Sequence, residues 1–354
     1  MTQPVAAGST AVPAHALARW ATDCLRALNM PAEDATLVAE SLVQTSLWGI
    51  DSHGIARLPH YLERLRRGSI VAEPKVTVER TGPCTGHLNG GHGHGIVLAH
   101  RGVRVAVELA REHGIGAIGI ADSSHCGALA LYTRPPAREG LVVLGFTHAD
   151  PMAVPHGGVN PFFGTNPISI AFPRLDSEPI CLDMATTAIP WNRVMNARRE
   201  GHPLPPGTAL DGAGAPTTDA GVARGLLPLG GLEYGYKGYG LALMIDLLCG
   251  PLHGNPWGPN IPGMFTALDE RRRIGAFFIV IDPGRFFGGA TLPDQVAQMA
   301  SLLAAERGSP LVPGDPELAA QTQRLALGIP IEPMLARQMH DWSERLCVAP
   351  LDAP

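Results

Sequence analysis

Two short polar segments carry side chains that could move a proton and hold a carboxylate. The first segment, residues 49–61, lies between two helical patterns and contains Ser52, His53, Arg57 and Tyr61. A neutral imidazole can accept a hydroxyl proton near neutral pH, and a guanidinium can bind a carboxylate through two hydrogen bonds. This set of residue types suits a hydroxy acid, whereas a helix-capping loop with incidental polar residues is the alternative interpretation.

The second segment, residues 122–127, lies where a predicted strand ends and a predicted helix begins. In α/β proteins, ligands often meet strand ends and helix N-termini at such places. His125 in this segment is therefore a second candidate acid/base residue. A Ser or Asp helix cap beside an exposed histidine is the competing interpretation.

The elements that would position these segments combine helices with strands. Helical spacing of apolar residues predicts helices from His15 to Trp48, and strand-like runs are found at 115–121, 141–147, 168–172, 180–184 and 276–281. The nearly all-apolar stretch from Tyr239 to Leu252 predicts a deeply buried helix. Helical patterns after residue 294 are expected to pack back onto the first helices. Together these patterns predict an α/β fold.

Two motif-like patterns are better explained as structural. The glycines of residues 114–119 match GxGxxG, but they follow a predicted helix and lead into a strand, the reverse of a dinucleotide fingerprint. His92 and His94 form an HxH pair, yet His87 does not complete a familiar zinc-ligand spacing. We therefore expect neither a Rossmann fingerprint nor a metal site.

Composition narrows the class of protein. The chain has 354 residues and a formal net charge of -5, so it can bury a substantial core and lacks the basic surface of a nucleic-acid-binding protein. Its six cysteines form no CxxC pair, which argues against a disulfide framework or a zinc knuckle. The N-terminal residues do not resemble a signal peptide, and no apolar stretch predicts a membrane span. Together with the two polar segments, this composition leads us to expect a cytoplasmic enzyme with a small-molecule carboxylate as its partner.

The two polar segments and five further blocks resemble the type 2 malate/L-lactate dehydrogenase family along nearly the whole chain. The blocks are GIDSHGIARLPHY (49–61), DSSHCG (122–127), FFGTNPISIAFP (162–173), LDMATT (182–187), PTTD (216–219), GYKGYGLALMIDLLCG (235–250) and PGD (313–315). The resemblance implies a non-Rossmann nicotinamide-binding α/β fold. It implies a helical substrate lobe formed by residues 1–75 and 290–354, and a nicotinamide-binding domain at residues 76–289. A homodimer with NAD or NADP as cofactor is also implied.

The resemblance further implies roles for individual residues. His53 and His125 would be the acid/base histidines, and Ser52 would support His53. The residues expected to hold the substrate are Arg57, Tyr61 and Thr165. Those expected to contact the cofactor are Asp183, Met184, Ala185, Tyr236, Lys237, Pro313, Gly314 and Asp315.

The implied reaction is hydride transfer between NAD(P) and C2 of a small 2-hydroxy acid or 2-oxo acid of the malate or lactate type. A ureidoglycolate dehydrogenase and a cyclic imine or ketimine reductase of the same family are alternatives. Arg193 stands where the imine reductases have an acidic relay residue, which argues against that branch. Cys126 replaces the Phe that usually follows the family histidine, which would enlarge the pocket or change its packing. Asp315 replaces the usual Glu, and this shorter carboxylate leaves the choice between NAD and NADP open. A metal-dependent hydrolase and a catalytically inactive binding module are competing classes.

Overall fold

A seven-stranded mixed sheet forms the centre of the computed structural model, which describes residues 8–351. The strands are β1 (Thr10–Val12), β2 (Thr77–Arg80), β3 (Thr85–Asn89), β4 (Ile115–Ser123), β5 (Val142–Thr147), β6 (Ile168–Phe172), β7 (Ile180–Met184), β8 (Ala209–Leu210), β9 (Pro216–Thr217), β10 (Gly225–Leu226), β11 (Ile274–Ile281) and β12 (Ile329–Ile331). The helices are α1 (Ala14–Ala27), α2 (Ala32–Leu47), α3 (Leu58–Arg67), α4 (Gly95–His113), α5 (Ala130–Arg138), α6 (Trp191–Glu200), α7 (Gly231–Cys249), α8 (Leu292–Ala305), α9 (Asp315–Leu327) and α10 (Pro333–Leu346).

The central sheet has the strand order β2-β3-β4-β11-β5-β6-β7. Within the described chain, β3 and β4 are its one parallel pair, and every other neighbouring pair is antiparallel. A Rossmann domain instead uses a mostly parallel sheet with crossover helices. The expected α/β class with a non-Rossmann topology is therefore confirmed.

The GxGxxG segment is a helix end followed by a strand. Helix α4 ends at His113, and Gly114 adopts a φ of +91° while its N–H donates to the carbonyl of Ala110 at 2.7 Å. This left-handed conformation favours glycine and is typical of a helix C-cap. Strand β4 begins at the next residue, so the structural interpretation of the motif is confirmed.

The two ends of the chain meet around one buried cluster of apolar side chains. Strand β1 pairs antiparallel with β12, and the indole N–H of Trp20 in α1 donates to Ser343 Oγ in α10 at 2.8 Å. The cluster includes Leu17, Leu42, Leu62, Ile331 and Trp342. A second buried cluster lies between the sheet and helices α4 and α5, and it includes Leu88, Ile118, Val143 and Phe278.

Helix α7 differs from its prediction. The apolar stretch at residues 239–252 was expected to be deeply buried, but the helix begins earlier and buries one face only, against the sheet. Met244 and Leu247 on the other face are 50% and 45% exposed. The prediction was wrong because an all-apolar pattern does not say whether a second face is covered within the same chain. None of the helices within residues 8–351 is long and apolar enough to cross a membrane.

Candidate active site

The loop at residues 51–57, which we call the catalytic loop, forms two short 3-10 turns between α2 and α3. The N–H of Ile55 donates to Ser46 Oγ at 2.9 Å and so ties the loop to α2. Arg324 of α9 donates to both carboxylate oxygens of Asp51, at 2.5 and 2.8 Å. Helices α2 and α9 therefore fix the backbone that carries the first candidate histidine.

Ser52 and His53 interact directly within this loop. Ser52 Oγ and His53 Nδ1 lie 2.8 Å apart in a hydrogen bond. Burial, and secondarily the charge of Arg57, lowers the pKa of His53 to about 3. His53 is therefore neutral near pH 7, and Nε2 is the ring nitrogen left for a ligand because Ser52 occupies Nδ1.

The second candidate histidine follows β4. Ser124 beside it accepts the N–H of Gly95 at 2.8 Å, which fastens this segment to the start of α4. His125 Nδ1 lies 2.6 Å from Tyr61 Oη and accepts the N–H of Gly127 at 3.3 Å. A backbone N–H can only donate, so Nδ1 is an acceptor, and the neutral imidazole carries its proton on Nε2.

The two candidate histidines face each other. Their ring centroids are 5.5 Å apart, and their planes are inclined by 29°. Burial lowers the pKa of His125 well below its usual value, and the charges of His53 and Arg57 act in the same direction. The structure thus brings together two neutral imidazoles that sequence places 72 residues apart, as the difference between positions 53 and 125 shows.

Arg57 links the catalytic loop to α6. Its Nε donates to the carbonyl of Ser52 at 2.5 Å, and its Nη2 donates to Asn192 Oδ1 at 3.1 Å. The sequence did not predict α6, because Val194 and Ala197 are the buried residues of this helix and its apolar pattern is weak. Asn192 was therefore missed as a partner of the candidate substrate-binding arginine.

A second buried cation acts on the same histidines. Arg272 is 2% exposed and forms an ion pair with Asp150. Its Nη1 atom has no hydrogen-bond partner among residues 8–351. The Arg272 charge contributes to the lowered pKa of His125. Sequence reasoning missed both residues, although the run of three arginines at residues 271–273 before a buried strand was a usable signal, because a buried arginine needs a partner.

Thr165, expected to hold the substrate, lies beside a segment expected to bind the cofactor. Its carbonyl accepts both the N–H and the hydroxyl of Thr186, each at 2.9 Å. In the part of the chain that the structure describes, no hydrogen bond joins Thr165 to either candidate histidine. Its role in substrate binding stays a prediction.

Two of the three segments expected to contact the cofactor lie side by side. The N–H of Cys181 in β7 donates to the carbonyl of Pro313 at 3.0 Å, which brings residues 183–185 next to residues 313–315. Gly314 has a φ of +106°, and a Cβ there would lie 3.1 Å from Arg134 Nη2. Glycine therefore lets the backbone approach this guanidinium closely.

Buried polar atoms without hydrogen-bond partners lie near the place where residues 183–185 and 313–315 meet, which we call the junction. Arg134 Nε and Nη1 and Glu317 Oε2 are buried and have no hydrogen-bond partner within the described residues. Burial raises the pKa of Asp183 to about 6, while its carboxylate accepts the N–H of Ala130 at 2.8 Å. Arg134 and Glu317 form an ion pair, with Nη2 and Oε2 3.8 Å apart, but the polar atoms left without hydrogen bonds suit a ligand rich in hydrogen-bonding groups. The residues present therefore fit a nicotinamide dinucleotide.

The third expected cofactor segment lies on α7 and is exposed to solvent. The Nζ atom of Lys237 lies 5.5 Å from the ring centroid of Tyr234 and 5.9 Å from that of Tyr236. The N–H of Leu229, just before α7, donates to the carbonyl of Thr186 at 2.8 Å. The start of α7 is thus tied to the chain that follows β7, but Tyr236 and Lys237 themselves are exposed to solvent.

A cavity of about 560 Å³ extends between the catalytic loop and the start of α9. Its lining includes Ser52, Asn192, Arg193 and Glu317. This volume is within the range of small-molecule binding sites. The cavity therefore extends from Ser52, the neighbour of the first candidate histidine, to Glu317 at the start of α9.

Comparison with known proteins gives consistent matches. A family model described as malate/L-lactate dehydrogenase matches residues 12–340. The chain is 36% identical over 304 residues to an NAD(+)-dependent ureidoglycolate dehydrogenase of Escherichia coli O157:H7, covering 84% of this chain and 86% of that protein. It is 36% identical over 271 residues to the (2R)-3-sulfolactate dehydrogenase (NADP(+)) of Chromohalobacter salexigens, covering 76% and 80%. The malate dehydrogenase structure from Pyrococcus horikoshii OT3 matches with a TM-score of 0.90 at 31% identity, covering 98% and 99%. The chain therefore belongs to the malate/L-lactate dehydrogenase family.

Proposed function

We propose that this protein transfers a hydride between NAD(P) and C2 of a small 2-hydroxy acid or its 2-oxo acid. The observation that carries this proposal is the pair of neutral, stacked imidazoles, 5.5 Å apart, beside the Arg57 guanidinium. A neutral imidazole can accept the hydroxyl proton, and a guanidinium binds and orients the carboxylate. The nicotinamide ring, when bound, takes the hydride that leaves C2.

The hydrogen bonds of the two histidines support a definite route for the proton. Nδ1 is occupied in both rings, by Ser52 at His53 and by Tyr61 at His125. In the oxidation direction the hydroxyl proton therefore goes to an Nε2 atom. For His125 this requires the other tautomer, in which Nδ1 carries the ring proton, donates it to Tyr61 Oη and gives up the 3.3 Å hydrogen bond from the Gly127 N–H; the Tyr61 hydroxyl can accept because a hydroxyl both donates and accepts.

A second candidate function within this reaction is oxidation of a ureido-substituted 2-hydroxy acid. It is favoured by the Asp150 and Arg272 pair, which is neutral overall and retains the unpartnered N–H groups of Nη1. Such a group can donate to a ureido carbonyl, whereas a second substrate carboxylate would also meet the Asp150 carboxylate. The ureidoglycolate dehydrogenase among the relatives acts on a substrate of this class.

The experiment is a substrate panel followed by absorbance of the reduced cofactor. Lactate, malate, sulfolactate and ureidoglycolate are offered with NAD or NADP, and 2-oxo acids are offered in reverse with and without methylamine. Arg57→Ala is compared with Arg337→Ala, an exposed arginine on α10. We expect turnover of at least one hydroxy acid, lost in Arg57→Ala and kept in Arg337→Ala. Turnover only with methylamine would move the protein to the imine reductases.

We also propose that the protein is a homodimer. Helix α7 exposes several large apolar and aromatic side chains to solvent, namely Leu232, Tyr234, Tyr236, Met244 and Leu247. An exposed apolar surface of this kind supports association with another chain, and a two-fold pair of identical chains is the commonest arrangement. Dimerisation would bring Tyr236 and Lys237 next to a partner.

We further propose that the chain has two domains and that the protein is cytoplasmic. The buried cluster around α1, α2 and α10 is distinct from the cluster under the sheet, which supports a helical substrate lobe at residues 1–75 and 290–354 and a nicotinamide-binding domain at 76–289. Residues 1–7 and 352–354 of that lobe lie outside the described residues. All six cysteines are free thiols, which supports a reducing, cytoplasmic location.

A further inference from the structure

His94 belongs to the HxH pair that the proposed reaction does not use. It is the N-cap of α4 and is 2% exposed. Its Nδ1 accepts the N–H of Ile96 at 3.3 Å, so the proton of the neutral ring lies on Nε2. Burial lowers the pKa of His94 to about 3, which keeps the ring neutral.

The proton on His94 Nε2 has no conventional acceptor. This nitrogen is buried and has no hydrogen-bond partner among residues 8–351. An unpaired buried N–H is costly, and few such groups persist in folded proteins. The ring of Tyr61 packs against His94 with centroids 4.5 Å apart and planes inclined by 83°. The π face of an aromatic ring can accept an N–H group.

We propose that His94 is a positioning residue that acts on His125 through Tyr61. Its Nε2–H group binds the face of the fully buried Tyr61 ring, whose hydroxyl contacts His125 Nδ1 at 2.6 Å. This contact fixes the ring, and the positive N–H edge withdraws electron density from it. The Tyr61 hydroxyl becomes a stronger donor to His125. The functional part of this inference rests on the proposed dehydrogenase reaction.

His92, the other member of the pair, has a different role. It adopts a φ of +65°, and its N–H donates to the carbonyl of Asp122 at 2.7 Å, while its carbonyl accepts the N–H of Val71. His92 therefore holds the turn against the end of β4. Within the described residues, no group of three or more His, Cys, Asp or Glu side chains could hold a metal ion.

Several charged or titratable groups other than Tyr61 act on His125, and each of them is left unchanged in the test. They are His53, Arg57 and His60 near the catalytic loop and Arg272 before β11. Varying only His94 and Tyr61 therefore isolates the proposed contact.

The test compares two substitutions that each keep one property of His94. His94→Asn keeps an N-cap acceptor for α4, because Asn is among the best N-cap residues. His94→Phe keeps an aromatic edge against Tyr61 but removes both nitrogens. Both are also made in the Tyr61→Phe background, which keeps the ring and removes the hydroxyl. Thermal unfolding of each variant confirms that it is folded.

The first readout needs no turnover. In proton and nitrogen NMR spectra of the ¹⁵N-labelled protein, we expect the His94 Nε2–H resonance to be shifted upfield by the Tyr61 ring current. It should persist in Tyr61→Phe and move downfield in Tyr61→Leu, which lacks the ring. The inference would be overturned by a His94 resonance whose chemical shift is unchanged in Tyr61→Leu, or by a ring proton on His94 Nδ1. Either result would count even if the protein proved to be no dehydrogenase.

The second readout is the split between kcat and KM. Both His94 variants should lower kcat for 2-oxo acid reduction, the direction in which His125 Nε2–H gives the proton while Tyr61 donates to Nδ1, by about two- to fivefold with little change in KM, since a weak contact of this kind is worth a fraction of a strong hydrogen bond. In the Tyr61→Phe background the same substitutions should change kcat by less than twofold. Equal losses in both backgrounds would mean that His94 acts on the fold alone.

Discussion

Tyr61 Oη lies 2.6 Å from Nδ1 of His125, and the Tyr61 side chain is fully buried. The same nitrogen accepts the N–H of Gly127 at 3.3 Å, so the inner edge of the imidazole is fully engaged. This arrangement leaves Nε2 as the reactive atom. It also makes the Tyr61 hydroxyl the group that exchanges hydrogen-bond direction with His125 when a proton is gained or lost.

Removing the Tyr61 hydroxyl should therefore slow the reaction without unfolding the protein. We expect Tyr61→Phe to lower kcat by about tenfold, which corresponds to the loss of one buried hydrogen bond. His125→Ala should lower kcat by about a hundredfold or more, because it removes the proton-transfer group itself. Steady-state kinetics in both directions measure these values. A Tyr61→Phe enzyme as active as wild type would contradict the role given to the hydroxyl.

Buried neutral histidines should make the protein sensitive to acid. Burial lowers the pKa values of His53, His60 and His94 to about 3 and that of His100 to about 4, from an ordinary value of 6.5. The unfolded chain binds more protons than the folded chain below pH 6.5. The free energy of unfolding should therefore be greatest above pH 6.5 and fall as the pH decreases toward 3.

Urea unfolding at pH 7 and pH 5 tests this dependence. In His94→Asn, the loss of stability between the two pH values should be smaller than in wild type by about 1–2 kcal/mol, since one such histidine is gone. His340→Gln, an exposed histidine on α10, is the matched control and should leave the difference unchanged. Equal pH dependence in all three proteins would show that His94 is protonated as easily in the folded chain as in the unfolded chain.

The Asp150 and Arg272 pair should contribute separately to stability and to substrate choice. Arg272→Met leaves a buried carboxylate without its cation, so we expect a loss of about 3–5 kcal/mol in the free energy of unfolding. Arg272→Met combined with Asp150→Asn should recover much of that loss. In the double variant, the ratio of kcat/KM for ureidoglycolate to kcat/KM for lactate should still be lower than in wild type. Unchanged substrate preference in the double variant would remove the ureido proposal and leave the general reaction intact.

The exposed face of α7 should determine the oligomeric state. We expect a dimer by light scattering for wild type and a monomer for Met244→Glu combined with Leu247→Glu, because like charges buried without partners oppose association. Val78→Lys changes a similarly exposed side chain on the edge strand β2 and should leave the dimer intact. A monomeric wild-type protein, or a double variant that stays dimeric, would exclude α7 as the interface.

The sequence anticipated features that depend on local patterns. The order of α4, Gly114 and β4 follows from helical spacing, a left-handed glycine and an apolar run, which are properties of neighbouring residues. The proximity of Ser52 and His53 is likewise local. The resemblance to a family then connected the catalytic loop with His125.

Other features depend on tertiary contacts and could not be read from patterns. Helix α6 has too few buried residues to show a period, although its Asn192 holds Arg57. The pairing of Asp150 with Arg272 joins residues more than a hundred positions apart. The exposed face of α7 was mistaken for a buried one because an apolar side chain facing solvent and one facing the core look alike in sequence.

The transfer of deuterium from substrate to cofactor tests the central claim most directly. A 2-hydroxy acid carrying deuterium at C2 is oxidised with NAD or NADP, and the reduced cofactor is analysed by mass spectrometry and NMR. We predict one deuterium at C4 of the nicotinamide per turnover, with the label accumulating about a hundredfold or more slowly in His125→Ala. Oxidation of the acid with deuterium released to water instead of the cofactor would contradict hydride transfer and the account of the site.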